Sequence, residues 1–135
     1  MKRIGLVVLM VLVMGLLGGC SGAATVGVVD MNKVMTDSPK VKDLQEQLKT
    51  KGTALEEGLN KEKASLSPEE FQKRQEQAYG EFVKLQQDVK GQFDTSLNKA
   101  MEEVAKDKKL GVILHKGGVA TGGVDVTDEV LKKLQ

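Results

Sequence analysis

The chain has 135 residues, a formal net charge of +1 and a single cysteine, and 29% of its residues are charged. This nearly neutral balance excludes the basic footprint with which a domain binds nucleic acid. Aromatic residues make up only 3% and tryptophan is absent, which predicts one small domain, or an elongated one completed by self-association, and not a large globular core.

The first twenty residues have the organisation of a lipoprotein signal peptide. Lys2 and Arg3 precede an apolar stretch at residues 4–17, and the sequence Leu-Gly-Gly-Cys ends at Cys20. A helix of about 14 residues rises roughly 21 Å, which is too short for the hydrocarbon core of a bilayer, so the stretch indicates a signal peptide and not a membrane span. The ending resembles the lipobox, in which the cysteine thiol is acylated and the chain is cleaved in front of it. We therefore expect removal of residues 1–19 and a lipid on Cys20.

A lipid is the expected fate of Cys20 because a lone cysteine in an exported chain has no partner for an internal disulfide. Loss of Lys2 and Arg3 with the signal peptide would change the net charge from +1 to −1. Two or three acyl chains at this terminus would hold the protein on a membrane, and Ser21 after the cysteine favours the outer membrane over the inner one. Residues 20–24 would form a short tether.

The mature chain opens with a strand signal followed by helix signals. Residues 25–29 are β-branched and apolar, which predicts a short buried strand. Asp30 would cap a brief helical turn, and Ser38 with Pro39 then forms a stronger helix start, an N-cap serine before a proline at the first helical position. The long helix predicted from there to about residue 64 carries a narrow apolar stripe, typical of a coiled-coil seam.

A second long helix is predicted from residue 68 to about residue 108. Ser67 and Glu70 have the spacing of a capping box, and Pro68 lies between them at the first helical position. The segment in front of Ser67 is therefore a turn, and the two helices are joined by only a few residues.

The apolar stripes of the two helices register when the chain is folded back at residue 66 or 67. Leu48 then meets Leu85, and Gly52 lies beside Phe82, a small residue making room for a large one. We therefore expect an antiparallel helical hairpin, the arm, over residues 38–95 with its tip near residues 65–68. The seam of the arm consists of Val41, Leu44, Leu48, Leu55, Ala78, Phe82, Leu85, Val89 and Phe93.

Past Leu110 the pattern becomes that of short strands. Apolar segments at residues 111–114 and 119–121 predict two strands, with glycine pairs at 117–118 and 122–123 as turns. Thr127 would cap a closing helix over residues 128–134. Strands from both ends of the mature chain should form one small sheet at the base of the arm.

Three segments carry a resemblance to the Skp/OmpH family of periplasmic chaperones: VGVVDMNKV at 26–34, KLGVIL at 109–114 and DVTDEVL at 125–131. The order of elements is similar to that family over essentially the whole mature chain. The resemblance implies an α+β fold, mainly helical, in which residues 25–37 and 96–135 form a body that joins two further copies in a trimeric β-barrel. Residues expected in the trimer body are Val26, Val28, Val29, Val112, Ile113 and Leu114.

The function implied by the resemblance is ATP-independent holding of unfolded outer-membrane β-barrel proteins in the periplasm. A homotrimer would enclose the client between its three arms, without a cofactor or a metal. The best-studied family members are basic, whereas this chain is nearly neutral, so we expect weaker electrostatic capture of acidic clients.

Two questions remain open from the residues alone. Gly58, Gly80 and Gly91 either act as hinges of the arm or allow close helix packing. The chain is either a holding chaperone or a lipid-anchored scaffold or adaptor of the cell envelope that binds one folded partner, since the mixed charges of the arm are compatible with both.

An enzyme is the least favoured class. His115 is the only histidine and falls at a strand end, and the sequence offers no cluster of histidine and cysteine for a metal. The glycine pairs lack the lysine-containing spacing of a phosphate-binding loop. We expect no catalytic residue.

Overall fold

The computed structural model describes residues 24–134. Along the chain these form β1 (Thr25–Val29), α1 (Met31–Asp37), α2 (Pro39–Glu62), α3 (Pro68–Lys108), β2 (Leu110–His115), a 3-10 turn (Lys116–Gly118), β3 (Val124–Asp125) and α4 (Thr127–Lys133). The α+β class and the predominance of helix are as predicted. Among these helices, none combines the length and the apolarity needed to span a bilayer.

The sheet has three parallel strands in the order β2-β1-β3, so segments from both ends of residues 24–134 contribute to it, as predicted. Thr25 pairs with Leu110 and Val26 with Val112, which leaves Gly111 as an irregularity in the register. The predicted strand at residues 119–121 is wrong: β3 follows the second glycine pair instead. Gly122 and Gly123 have φ values of 85° and 90°, so the chain turns at the glycines and pairs with β1 only beyond them.

Close approach of the backbone explains the second glycine of this turn. A Cβ atom on Gly123 would lie 2.6 Å from Cγ1 of Val28, a separation that real side chains do not tolerate. The loop thus passes directly over β1 just before β3 begins.

The helix starts follow the predicted capping chemistry. The Asp30 side chain accepts hydrogen bonds from the backbone N–H groups of Asn32 and Lys33 at the start of α1. Ser38 caps α2, and the predicted capping box at Ser67 and Glu70 is present at the start of α3. Helix α2 ends at Glu62, slightly before the predicted end near residue 64, and a turn leads to Ser67.

The closing helix begins differently from the prediction. Thr127 is its first residue and not its cap, because Val126 occupies the N-cap position without a side-chain hydrogen bond. The Thr127 hydroxyl donates to Asp125 Oδ1 at 2.6 Å and accepts from the backbone N–H of Asp30 at 2.9 Å. This hydroxyl therefore links the end of β1 to the start of α4 instead of capping the helix.

The core of the body lies between the sheet, α1, α4 and the last three turns of α3. Its buried members are Val29, Val34, Leu97, Ala100, Val104, Val126, Val130 and Leu134. Burial of a valine or leucine side chain stabilises a fold by about 1.5–3 kcal/mol, so this cluster is the main apolar source of stability in the described chain. Ser38 is also buried, and its hydroxyl donates to the Leu134 carbonyl at 3.5 Å.

Residues near the start of α2 contact residues in the second half of α3, and residues near the end of α2 contact the first turns of α3. Val41 and Leu44 line one groove with Val89 and Phe93. A Cβ atom on Gly52 would lie 3.2 Å from Cε2 of Phe82, so the predicted Gly52–Phe82 contact is present. Closest to the turn, Arg74 Nε lies 2.9 Å from Glu62 Oε2.

Candidate functional site

The α2–α3 pair presents a thin apolar seam whose α2 residues become less buried away from the body. Val41 and Leu44 are each 3% exposed, whereas Leu48, Leu55 and Leu59 are only half-buried. On α3, the predicted seam residues Ala78 and Val89 are buried, and the others are half-buried: Phe82, Leu85 and Phe93. Two helices cannot enclose a seam completely, so apolar surface remains accessible along both of its sides.

A groove of about 450 Å³ opens on one side of the outer half of the seam. Leu55, Leu59, Ala78 and Phe82 form its floor, and Tyr79 stands at its edge with 72% of its surface exposed. Aromatic side chains contribute large apolar contact area at low entropic cost. This groove is therefore suited to weak contact with apolar side chains of another polypeptide.

A second groove of about 320 Å³ lies at the base of the pair, where α2 and α3 leave the body. Its apolar lining comes from Met35, Val41, Leu44, Val89 and Phe93, and Met35 is 46% exposed. Methionine is flexible and polarisable, so it adapts to contact surfaces of varied shape. The two grooves extend the accessible apolar surface along much of the arm.

Positively and negatively charged side chains both surround the grooves. Arg74 bridges Glu62 at 2.9 Å and Glu81 at 3.6 Å. Charges of both signs also line a third groove: Lys51, Arg74, Glu81, Lys84 and Asp88. Exposed ion pairs contribute only about 0–1 kcal/mol each. Their role is to keep the arm solvated while leaving its apolar floor accessible.

The candidate hinge glycines lie within continuous helix and are not required by packing. A Cβ atom on Gly58, Gly80 or Gly91 would meet nothing within 4 Å, so the close-packing interpretation does not apply to these three. It applies to Gly52, which faces Phe82. Bending of the arm at the three glycines stays a prediction.

The residues expected in the trimer body fall into two groups in the single chain. Val28 and Val29 are buried, and Val26 and Ile113 are half-buried. Val112 and Leu114 are 42% and 43% exposed; they alternate along β2 and share one face of the sheet. Within residues 24–134, β2 is an edge strand whose outer side pairs with no other strand.

A polar network fixes the loop over the sheet. Lys116 Nζ lies 2.8 Å from Asp125 Oδ2, and Asp125 Oδ1 accepts from both the backbone N–H and the hydroxyl of Thr127. The Lys116 ammonium and the Thr127 donors hold the pKa of Asp125 well below its usual range. Sequence reasoning missed the Lys116–Asp125 pair because β2, which precedes Lys116, and β3, which contains Asp125, meet only through their pairing with β1.

Hydrogen bonds also shift the pKa values of charged side chains in the first turns of helices. The Ser67 hydroxyl and backbone N–H lower the pKa of Glu70, as a capping box requires. The Asp128 carboxylate, 2.7 Å away, raises the pKa of Lys33. These groups are exposed and stabilise local structure.

Residues 24–134 contain no group of three or more metal-ligating side chains. His115 is exposed at the end of β2. The predicted signal peptide at residues 1–19 and the predicted lipid site at Cys20 lie outside the described residues.

Comparison with known protein families matched residues 67–134, about half of the chain, to the family described as outer membrane protein (OmpH-like). The match extends from the cap of α3 through β2, β3 and α4, and it leaves β1, α1 and α2 outside. A comparison with curated proteins found no match. The resemblance seen at 109–114 and 125–131 falls within the matched range, and we conclude that the chain belongs to the OmpH-like family.

Proposed function

We propose that the mature chain is an ATP-independent holding chaperone of the periplasm that binds unfolded outer-membrane β-barrel proteins and prevents their aggregation. Membership in the OmpH-like family supports a periplasmic chaperone role for outer-membrane proteins in general. The observation that carries the holding mechanism is the accessible apolar seam between α2 and α3, with its two grooves and the exposed Tyr79.

An unfolded β-barrel protein exposes alternating apolar side chains and unpaired strand edges, which aggregate unless they are covered. Shallow grooves of a few hundred cubic ångströms match single side chains of such a client and not a folded surface. Many weak contacts of this kind give useful total affinity while the client stays mobile. No chemistry on the client is required, so we assign no catalytic residue, cofactor or metal.

The arm is proposed to act within a homotrimer. Residues 38–95 would form an antiparallel coiled-coil arm, with residues 25–37 and 96–135 as the body. The exposed face of β2 with Val112 and Leu114, together with its free edge, supports joining of three sheets into a barrel. Three arms leaving one body would surround a cavity.

The lipid anchor is the third part of the proposal. The lipobox-like ending at Cys20 supports acylation at this residue and attachment to a membrane, with Ser21 favouring the outer one. The chaperone would then be confined to one membrane of the periplasm. Mass spectrometry of the native N-terminus tests this part, since a free thiol on an uncleaved chain would contradict it.

The decisive experiment dilutes residues 21–135 together with a urea-unfolded outer-membrane β-barrel protein and follows light scattering and the mass of the complex. We expect suppressed aggregation with about three copies of the chain per client. A well-folded trimer that leaves aggregation unchanged would instead favour the alternative, a lipid-anchored scaffold or adaptor with one folded partner. A pull-down with crosslinking would then identify a single envelope protein.

A further inference from the structure

The length of α3 places the turn between α2 and α3 far from the start of β1. Helix α3 has 41 residues, so at 1.5 Å per residue Pro68 and Lys108 are about 60 Å apart. Only Lys109 separates α3 from β2, and the first residue of β2, Leu110, pairs with Thr25. The turn between α2 and α3 therefore lies about 60 Å from Thr25.

The connection from Thr25 to Cys20 is short by comparison. Four residues, 21–24, lie between them, and even a fully extended chain over this interval spans only about 17 Å. Ala24 packs against β2, since a Cβ atom on Gly111 would lie 2.5 Å from the Ala24 Cβ. The connection to Cys20 therefore starts at the Thr25 end of the body.

The charges at this end are complementary to an anionic lipid surface. Lys106 and Lys109 are exposed and make no ion pair within residues 24–134. The neighbouring acids Asp107 and Glu129 are each engaged by another lysine. Lys133 also bridges Glu103, so the four lysines at this end exceed the three acids they surround by one positive charge. This surplus favours contact with anionic headgroups.

We propose that the end of the body formed by Thr25, Lys109 and Leu110 faces the bilayer that holds the lipid, and that the arms point away from it. This orientation rests on two parts of the proposed function, the lipid on Cys20 and the trimer. Three equal, short tethers that leave the same end of a three-fold symmetric body hold its axis perpendicular to the membrane. A client between the arms is then separated from the anchoring bilayer by the body and is accessible from the opposite side.

Site-specific fluorescence on the full, lipidated trimer tests this orientation. Because Cys20 is the only cysteine and would be acylated, a single introduced thiol can be labelled uniquely. Thr25→Cys places a dye at the tethered end and Ala64→Cys places one at the turn between α2 and α3; both positions are exposed. Each labelled protein is reconstituted in phosphatidylethanolamine–phosphatidylglycerol vesicles that carry a quencher on the lipid headgroup.

We expect loss of most of the fluorescence at position 25 and no loss at position 64, relative to vesicles without quencher. Equal quenching at both positions in a protein that floats with the vesicles would overturn the orientation while leaving the anchor intact. Failure to float would contradict the anchor itself, and the orientation with it. A vesicle-bound monomer would contradict the trimer, and with it the orientation that three tethers impose. Circular dichroism and the aggregation assay on each labelled variant control for folding.

Discussion

Replacing three glycines of the arm by alanine should stabilise it. Gly58, Gly80 and Gly91 lie in helix interiors, where glycine is about 1 kcal/mol less favourable than alanine. The added methyl group meets no atom within 4 Å at any of the three, so no steric cost opposes the gain. The sites are separate along the arm, and distant substitutions add; the triple variant should gain about 2–3 kcal/mol in free energy of unfolding per chain.

Gly52→Ala is the matched control. It offers the same gain in helix propensity, but its methyl group would lie 3.2 Å from Cε2 of Phe82. Overpacking of this kind typically costs about 1–3 kcal/mol. The half-buried ring can move only in part, so we expect a net change at or below zero.

Urea unfolding followed by circular dichroism measures the effect, at one fixed protein concentration because an oligomer's stability depends on it. A destabilised Gly58→Ala, Gly80→Ala or Gly91→Ala variant would refute the open packing described for that glycine. The aggregation assay on the triple variant then tests the hinge: stiffened arms should protect large clients less well than small ones. Unchanged protection of both would remove the hinge role and leave the stability result standing.

Four further outcomes are expected. Leu114→Asp should convert the trimer to a folded monomer in sedimentation experiments, since the side chain is 43% exposed in the single chain; an intact trimer would contradict the role given to this face. Thr127→Val should lower the free energy of unfolding by about 1–3 kcal/mol, because it leaves the Asp30 N–H without its acceptor, whereas Thr127→Ser should retain stability. Because the pKa of Asp125 is lowered in the fold, its carboxylate stabilises the protein fully above the unfolded pKa of about 3.9, and this stabilisation is lost as the pH falls toward the folded pKa. The free energy of unfolding of Asp125→Asn should therefore decline less steeply than that of the unchanged protein below about pH 4. Parallel declines in the two proteins would show that the Asp125 carboxylate does not contribute. Tyr79→Ser should weaken protection of an unfolded client in light scattering without changing the melting temperature, and a matching loss from serine at an outward-facing glutamine of the same helix would show that the effect is not specific to the groove.

Elements defined by local chemistry were predictable from the sequence. The strand at Thr25–Val29 and the helix at Pro68–Lys108 have the predicted bounds, because β-branched residues in one and a capping box with proline in the other act over a few neighbouring residues. The Gly52–Phe82 contact was also accessible, since the register of two apolar stripes follows from helical periodicity.

Features decided by tertiary pairing were not predictable in this way. Strand β3 has only two residues, and its place is determined by pairing with Gly27 and Val28, so the apolar segment at 119–121 gave a false signal. Thr127 has the sequence signature of a helix cap, but its hydroxyl is occupied by Asp125 and Asp30. A local rule fails there because a partner from the other end of the chain offers the better hydrogen bond.

The distribution of burial explains how one small chain can be both stable and adaptable. The body closes its core with residues from both ends of the described chain, and several of them, such as Val29 and Val130, are fully buried. The outer part of the arm has a mostly half-buried seam, with Ala78 as its buried member, and contains glycines that packing does not require. Regions with few buried apolar contacts open at lower free energy than the core. We therefore expect the arm to change shape around an unfolded polypeptide at a lower free-energy cost than the body, as the proposed holding function without an energy source requires.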